Sequence, residues 1–333
     1  MQFAYSLLIR FVALILPLLA RFSAKLQHFV EGRKTVWDTL EKELHGRDNT
    51  LWFHAASLGE YEQGLPVMEA LKTKYPDFTF VLTFFSPSGY EVRKNNSIAD
   101  ITVYLPLDTP ENARRFLQTV RPQMAFFIKY EFWPNYLKQL RTRAIPTFLI
   151  SGIFRPDQVF FKVYGGFYRK ALHTFTHFFV QNDLSKTLLQ SIGIKAVSVS
   201  GDTRFDRVNA VLQRENTLDF MDLFTQDATT IVIGSSWPKD EELLAHYINE
   251  APETLKFVLA PHNIKTEQLN AFEAQLKRPS VRYSQRDSLS LQDYSILIVD
   301  TVGLLTKIYA YADIAYVGGG FGQPGVHNVL EPA

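Results

Sequence analysis

The sequence predicts an α/β protein of two domains, each a parallel sheet covered by helices on both faces. Three observations predict it. Apolar runs of strand length alternate with runs of helix length over residues 51–200 and again over residues 230–317. A polar stretch, residues 213–229, separates the two series. The motifs able to carry chemistry mostly follow the apolar runs, where ligands sit in such sheets. Strands alternating with helices give parallel pairing, because each return to the same sheet edge needs a crossover.

Taken in order, residues 3–22 are nearly all apolar, interrupted by Arg10, and the uncharged run 11–20 contains Pro17. A spanning helix needs ~20 apolar residues, so the length is borderline. Arg21, Lys25, Arg33 and Lys34 follow, against one acid, Glu31. Apolar residues flanked by cations suit an anionic lipid surface and favour keeping the chain that follows on the cytoplasmic side. Residues 1–46 are therefore expected to form a membrane anchor with a basic tail, spanning or lying flat. A signal peptide and an ordinary buried helix are the alternatives, though no small-x-small cleavage site precedes the cations.

In the first domain, residues 47–212, strands are expected at 51–55, 78–85, 101–105, 124–128, 147–150, 177–181 and 196–200, with helices at 60–72, 112–120 and 134–143. In the second, residues 213–333, strands are expected at 230–233, 256–260, 296–299 and 314–317, with helices at 267–276 and 302–311. Both domains are Rossmann-like, and a cleft between them is expected. The sequence stops at Leu330-Glu331-Pro332-Ala333, just after a glycine-rich turn, so the second domain is expected to be incomplete.

Composition sets bounds. At 333 residues the chain is long enough for two cores. The 46% hydrophobic and 21% charged content is that of a folded chain. There is no cysteine, which excludes disulfides and thiolate metal sites, and the net charge of +1 gives no pull toward nucleic acid. The 27 Phe and 15 Tyr fit apolar packing and an amphiphilic ligand. No phosphate-binding Gly-x-x-x-x-Gly-Lys loop, no Gly-x-Ser-x-Gly elbow and no Asp-x-Asp pair is present. His173 and His177 lie four apart but lack a third ligand, so no metal site is expected.

Four groups of residues remain. His54-Ala55-Ala56-Ser57-Leu58-Gly59-Glu60 takes a strand through a turn into a helix. A carboxylate in a helix's first turn is expected to lie below its ordinary pKa and to stay ionised, ready to accept a proton. Capping the helix is the other reading of Glu60. Lys129-Tyr130-Glu131-Phe132-Trp133-Pro134-Asn135 also follows a strand. Glu131 there can orient an acceptor or a base, or it can serve a helix start against which Trp133 and Pro134 simply pack. In Gly201-Asp202-Thr203-Arg204-Phe205-Asp206, Arg204 can meet a leaving phosphate or pair with Asp202 or Asp206. The second domain offers Gly234-Ser235-Ser236, Pro261-His262, Asp300-Thr301-Val302-Gly303 and Gly318-Gly319-Gly320, then His327-Asn328-Val329-Leu330-Glu331-Pro332. Backbone N–H groups in such turns cradle phosphate, and Glu331 can accept from a ribose diol.

The order His-Ala-x-Ser-x-Gly-Glu, Glu-Phe-Trp-Pro-Asn, Gly-Asp-x-Arg-Phe-Asp, Asp-Thr-x-Gly and Gly-x-His-Asn-x-x-Glu-Pro resembles the 3-deoxy-D-manno-octulosonic acid (Kdo) transferases. The resemblance runs from the N-terminal segment to residue 333. It implies a GT-B fold and a cofactor-free, metal-independent glycosyltransferase. Such an enzyme works on the cytoplasmic side of the inner membrane and moves Kdo from CMP-Kdo to a lipid A precursor with inversion. It implies Glu60 as base, Glu131 and Arg204 as stabilisers of the transition state, and CMP contacts at Pro261, His262, Val302, Gly303, Leu304, Asn328, Val329, Leu330 and Glu331. Three positions depart from the family pattern. Arg204 stands where Lys is usual, His262 where Arg is usual, and Leu304 where Glu is often found. Another GT-B enzyme using a UDP-sugar and a non-catalytic lipid-binding relative are the remaining readings.

Overall fold

In a computed structural model, the structure describes residues 1–333 apart from residues 96, 213–214, 322–328, 331 and 333. The chain forms two compact units, Met1–Arg207 and Val208–Ala333.

The first unit begins with three helices, α1 (Gln2–Leu19), α2 (Ala24–Lys34) and α3 (Val36–Glu43). Seven parallel strands follow: β1 (Thr50–Ala55), β2 (Thr79–Phe84), β3 (Ile101–Tyr104), β4 (Pro122–Ile128), β5 (Thr147–Gly152), β6 (His177–Val180) and β7 (Val197–Val199). Their order is β3-β2-β1-β4-β5-β6-β7. The crossovers are α4 (Leu58–Lys74), α5 (Pro87–Arg93), α6 (Pro110–Val120), α7 (Pro134–Thr142), α8 (Gly166–Leu172) and α9 (Asp183–Ser191), and α10 (Thr203–Leu212) runs across the division between the units. Every expected strand is present, within two residues at each end.

Both faces of the sheet are buried, so the strands read as continuous apolar runs and alternate residues feed separate cores. Trp52, Val81, Ala125, Phe127 and Leu149 point into one core. Leu51, Phe53, Phe80, Leu82, Phe126 and Ile128 point into the other. On that second face Phe80, Phe53, Phe126 and Phe148 stack in a row across four strands, with ring centroids 5.2, 4.7 and 5.3 Å apart. Gly64 lets α4 lie directly on β4, since a Cβ there would overlap the Ile128 side chain.

The segment expected to be a basic tail is instead part of this unit. Val36, Leu40 and Leu44 are buried in the first core. Arg33 does not face outward. Its Nε donates to the carbonyl of Leu105 (3.0 Å), Nη1 to Phe29 (2.9 Å) and Nη2 to Phe85 (2.7 Å), and its guanidinium lies over the Phe29 ring at 3.5 Å. Burial pushes it down to about 9, and no carboxylate pairs with it among the described residues. Arg33 therefore clamps α2 to the carboxyl ends of β2 and β3. Gly32, beside it, allows the close approach, because a Cβ would run into the Tyr104 ring. Lys34 pairs with Glu31 at 2.7 Å.

The α1 helix and the short turn after it, Gln2–Phe22, are long and apolar enough to cross a membrane by length and composition. Its polar residues, however, are bonded to the sheet domain. Tyr5 Oη donates to Asp108 (2.9 Å), Gln2 Nε2 and Ser6 Oγ donate to Asn135 Oδ1 (2.8 and 3.1 Å), and Arg10 pairs with Glu111. Asp108 is 2% exposed and also accepts from the N–H groups of Asn135 and Tyr136. Phe3, Leu7, Leu14 and Leu18 stand exposed.

The second unit has α11 (Asp219–Thr225), β8 (Thr230–Ser236), α12 (Pro238–Glu250), β9 (Lys256–Pro261), α13 (Thr266–Glu273), β10 (Ser280–Arg282), β11 (Ile296–Ile298), α14 (Leu305–Ile308) and β12 (Ile314–Val317). The strands are parallel in the order β10-β11-β9-β8-β12. Helix α12 and strand β10 were not expected, and two further elements differ from expectation. The polar stretch 213–229 contains α11, whose Met221 and Phe224 are fully buried. The helix expected at 302–311 starts only at Leu305 and ends in a 3-10 turn, Tyr309–Tyr311.

Candidate active site

The strand order of the first unit reverses direction between β1 and β4, so their carboxyl ends flank a topological switch point, where α/β sheets place ligands. Glu60 follows β1 and Glu131 follows β4. The register pairs His54 with Phe127, which sets both loops side by side. Two residues far apart in sequence thus share one edge of the sheet.

Glu60 sits in the first turn of α4 and is 5% exposed. Its Oε2 accepts the N–H of Ala56. The capping contact is therefore real, but it is not the whole environment. Burial pushes the carboxyl up to about 7, and the like charge of Glu131 adds to the rise. The N–H groups of Ala56 and Ser57 and the Lys129 ammonium pull the other way without cancelling it. The expectation of a depressed pKa is overturned, because the charge of a helix terminus is worth less than the desolvation of a carboxylate. A carboxyl poised near neutrality results, half ionised near pH 7.

Glu131 does not cap α7. Its Oε2 lies 3.6 Å from Nε2 of the fully buried His54. The Trp133 indole donates to that same nitrogen at 2.9 Å. An indole N–H only donates, so Nε2 presents its lone pair and the imidazole proton sits on Nδ1. Nδ1 faces Thr83 Oγ1 at 2.9 Å, and Thr83 in turn takes the Trp52 indole N–H at 2.9 Å. Trp133 and His54 therefore do more than fill space. They lock the loop after β4 to the end of β1.

Lys129, singled out in the sequence only as the start of a motif, belongs to this cluster. Its φ is +70°, a backbone region uncommon for a residue with a side chain, and its N–H bonds the Ile150 carbonyl at 2.8 Å. Its charge acts on both Glu60 and Asp202. Lysine carries no preference for a left-handed backbone, so this role has no signature in the sequence.

Arg204 is in the ion pair that was its alternative reading. Nε and Nη2 both reach Asp202 Oδ2 (2.9 and 2.6 Å), and the Arg204 N–H reaches Oδ1 (3.0 Å). Burial raises the Asp202 carboxyl, but the hydrogen bonds to Arg204 and the charges of Arg204 and Lys129 together hold it below its ordinary range. The side chain of Arg204 remains 42% exposed, so the pair fixes its direction without hiding it.

In the second unit the order reverses between β8 and β12. Asp240, 1% exposed, ties the two strand ends together: Oδ2 accepts from Trp237 N–H (2.8 Å) and Gly319 N–H (2.9 Å), and Oδ1 from Tyr316 Oη (2.8 Å). Sequence reading missed this residue, one acid among three in a row with Glu241 and Glu242. Gly318 permits the closeness, since a Cβ would meet the backbone of Ser235 and Ser236. Pro261 ends β9, and the His262 N–H bonds the Ser236 carbonyl at 2.9 Å while its ring stacks on Trp237 at 4.5 Å. Pro261 and His262 therefore join the loop after β8. Val302 is 85% exposed, Gly303 has φ +92°, and Leu304 packs against the core, which leaves backbone and not side chain for any contact there. Val329 is exposed and Leu330 half-buried, while Asn328 and Glu331 lie outside the described residues.

The sequence model of a family described as 3-deoxy-D-manno-octulosonic-acid transferase matches residues 21–207, more than half of the chain. The Kdo transferase of Chlamydophila psittaci is 26% identical over 319 residues, covering 92% of this chain and 73% of that one. Those of Haemophilus influenzae (28% over 301 residues, 85% and 68% covered) and Aquifex aeolicus (27% over 299 residues, 88% and 75% covered) are similar in the same way. Among solved structures, a UDP-GlcNAc 2-epimerase from Neisseria meningitidis bound to UDP-GlcNAc aligns with a TM-score of 0.56 at 13% identity, over 80% of this chain and 76% of that one. The UDP-GlcNAc 2-epimerase of Methanocaldococcus jannaschii gives 0.53 at 14% identity, over 80% and 77%. At such identities these likenesses concern the fold, two Rossmann-like sheets of the GT-B class. The strand-end carboxylates, the ordered motifs around them and the family match together place this chain in the Kdo transferase family of glycosyltransferases.

Proposed function

We propose that the chain transfers Kdo from CMP-Kdo to a sugar hydroxyl of a lipid A precursor, with inversion, in lipopolysaccharide biosynthesis on the cytoplasmic side of the inner membrane. The observation that carries the reading is the pairing of a buried Glu60, poised near neutrality, with Glu131 at the strand-order switch. A carboxylate of this kind suits removal of a proton from an alcohol as it becomes a nucleophile.

In this reading residues 47–212 hold the acceptor and residues 213–333 hold the donor. Glu60 takes the proton of the acceptor hydroxyl. That oxygen forms a bond to the anomeric carbon of Kdo while the bond from that carbon to the CMP phosphate oxygen breaks, and the electron pair leaves with CMP. Glu131, beside His54, helps position the acceptor and stabilises positive charge developing on the sugar. Arg204, aimed by Asp202, meets the negative charge of the departing phosphate. CMP contacts fall to Pro261, His262, Val302, Gly303, Leu304, Asn328, Val329, Leu330 and Glu331. A nucleoside monophosphate leaves with less charge than a diphosphate, so protein donors can serve in place of a metal. The exposed apolar face of α1 rests on the membrane that carries the acceptor.

The test is transfer from CMP-Kdo to a lipid A precursor, scored by product mass, with CMP and UDP as competitors. Protection by UDP and not by CMP defeats the proposed donor. Near-normal turnover in Glu60→Gln defeats the proposed base.

A further inference from the structure

Starting just past the loop after β4, α7, α8 and the first turn of α1 line an open cavity of about 680 Å³. Lys138 and Arg141 reach it from one face of α7, and Lys170 from α8. All three side chains are exposed, and none has a carboxylate partner among the described residues. The Arg141 guanidinium spans the gap between the helices to the Lys170 carbonyl at 3.5 Å. Three like charges around one cavity repel one another, and an anion between them relieves that repulsion. A second, independent sign comes from Thr174. It lines the cavity and is nine-tenths buried; its Oγ1 has no hydrogen-bond partner, is itself sealed from solvent, and meets a ligand in the cavity by rotation about χ1. Buried hydroxyls are normally bonded, so an unpartnered one marks a place for a missing acceptor.

The remaining walls are apolar. Phe167 and Pro134 line the cavity, and the Phe167 ring packs against Tyr5 of α1 at 5.7 Å. Phe3 on the same turn of α1 is 76% exposed, and Val163 and Tyr164, just before α8, are 98% and 71% exposed. A cationic cavity opening among exposed apolar residues matches an amphiphile, with an anionic head and an apolar body. The cavity also runs away from the carboxylates. From Pro134 to Arg141 the axis of α7 advances ~10 Å, so this is not a place for the reacting sugar.

We propose that this cavity binds the phosphate of an anionic membrane phospholipid, held by Lys138, Arg141, Lys170 and the Thr174 hydroxyl. The inference rests on α1 lying at a membrane surface, and it does not depend on the identity of the base. The protein is titrated in solution with dihexanoyl phosphatidylglycerol below its micelle concentration, against dihexanoyl phosphatidylcholine and inorganic phosphate, by calorimetry. The phosphatidylglycerol is expected to bind at least 10-fold more tightly than the phosphatidylcholine. A K138A/R141A/K170A variant, altered only at exposed side chains, is expected to lose on the order of 100-fold, at about 5-fold per cation. Thr174→Val keeps the shape and is expected to lose part of the affinity without loss of thermal stability. Equal binding of both lipids, an unaffected triple variant, or inorganic phosphate binding as tightly as the lipid overturns the proposal. So does binding confined to a phosphorylated glycolipid, which makes the cavity an acceptor subsite. None of these readouts uses transfer activity, so failure here is separable from failure of the proposed reaction.

Discussion

Replacing Glu60 by Gln separates two consequences of one buried carboxylate. Folding raises this group from 4.5 to about 7. Over that window the unfolded chain gives up its proton before the folded one does. Stability therefore falls as pH rises from about 4.5 to about 7 and levels off above. At ~1.4 kcal/mol for each pH unit, the ionised group costs the native state roughly 3 kcal/mol at pH 8. Gln has no proton to lose and keeps a carbonyl oxygen for the Ala56 N–H. Glu60→Gln is thus expected to match the parent at pH 4 and to be more stable at pH 8 by roughly 2–3 kcal/mol. Urea denaturation at the two pH values measures it. Transfer from CMP-Kdo is expected to fall by a factor of ~10²–10⁴, the usual worth of a positioned general base. In the parent, kcat/KM is expected to drop about 10-fold per pH unit below pH about 7. A variant stabilised equally at both pH values refutes the electrostatic argument. A variant that is stabilised only at pH 8 yet still turns over refutes the chemical one.

Two further substitutions probe the supports of the site. Glu131→Gln removes the like charge beside Glu60, so the acid limb of the pH–rate profile is expected to move to lower pH; an unmoved limb means the two carboxylates do not interact. Arg33→Met leaves the carbonyls of Leu105 and Phe85 without their donor and is expected to cost ~2–4 kcal/mol, seen in the urea midpoint. Arg33→Lys is expected to recover less than half of this, because one ammonium cannot reach three carbonyls and stack on Phe29 as a planar fork does.

The parallel sheets were legible because strands buried on both faces leave a plain signal: Leu51 to Ala55 and Phe80 to Phe84 are apolar almost without a break. Glu60 and Glu131 were legible as strand-end residues, and the sheet order then set them side by side. What escaped the sequence depends on the surroundings of a side chain and not on its type. Arg33 reads as one more cation beside an apolar segment, yet three carbonyls and a ring enclose it. Asp240 is one acid among three in a row with Glu241 and Glu242, yet it joins two strand ends. The shift of Glu60 runs opposite to the expected one because the sequence shows the helix start but not the burial. Helix α11 was hidden by its acids, Asp219 and Asp222, around a buried Met221 and Phe224.

The orientation of α1 is the question the sequence left open, and its bonds argue for one answer. A spanning helix has to place residues 2–10 in lipid, breaking Tyr5 from Asp108, Gln2 and Ser6 from Asn135, and Arg10 from Glu111. Each polar group left unpaired in hydrocarbon costs several kcal/mol. The bonds from Gln2 and Ser6 end on Asn135, in the first turn of α7 and four residues beyond Glu131, so a helix lying flat is fastened to the helix that follows the Glu131 loop. The chain has no cysteine, which makes single-cysteine spin labels unambiguous. Labels at Phe3, Leu7, Leu14 and Leu18, all exposed, are expected to report one shallow depth in anionic vesicles from oxygen and nickel accessibility. A gradient, with Leu7 deep and Phe3 emerging on the far side, shows that α1 crosses the bilayer and that the bonds to Asp108 and Asn135 do not hold it.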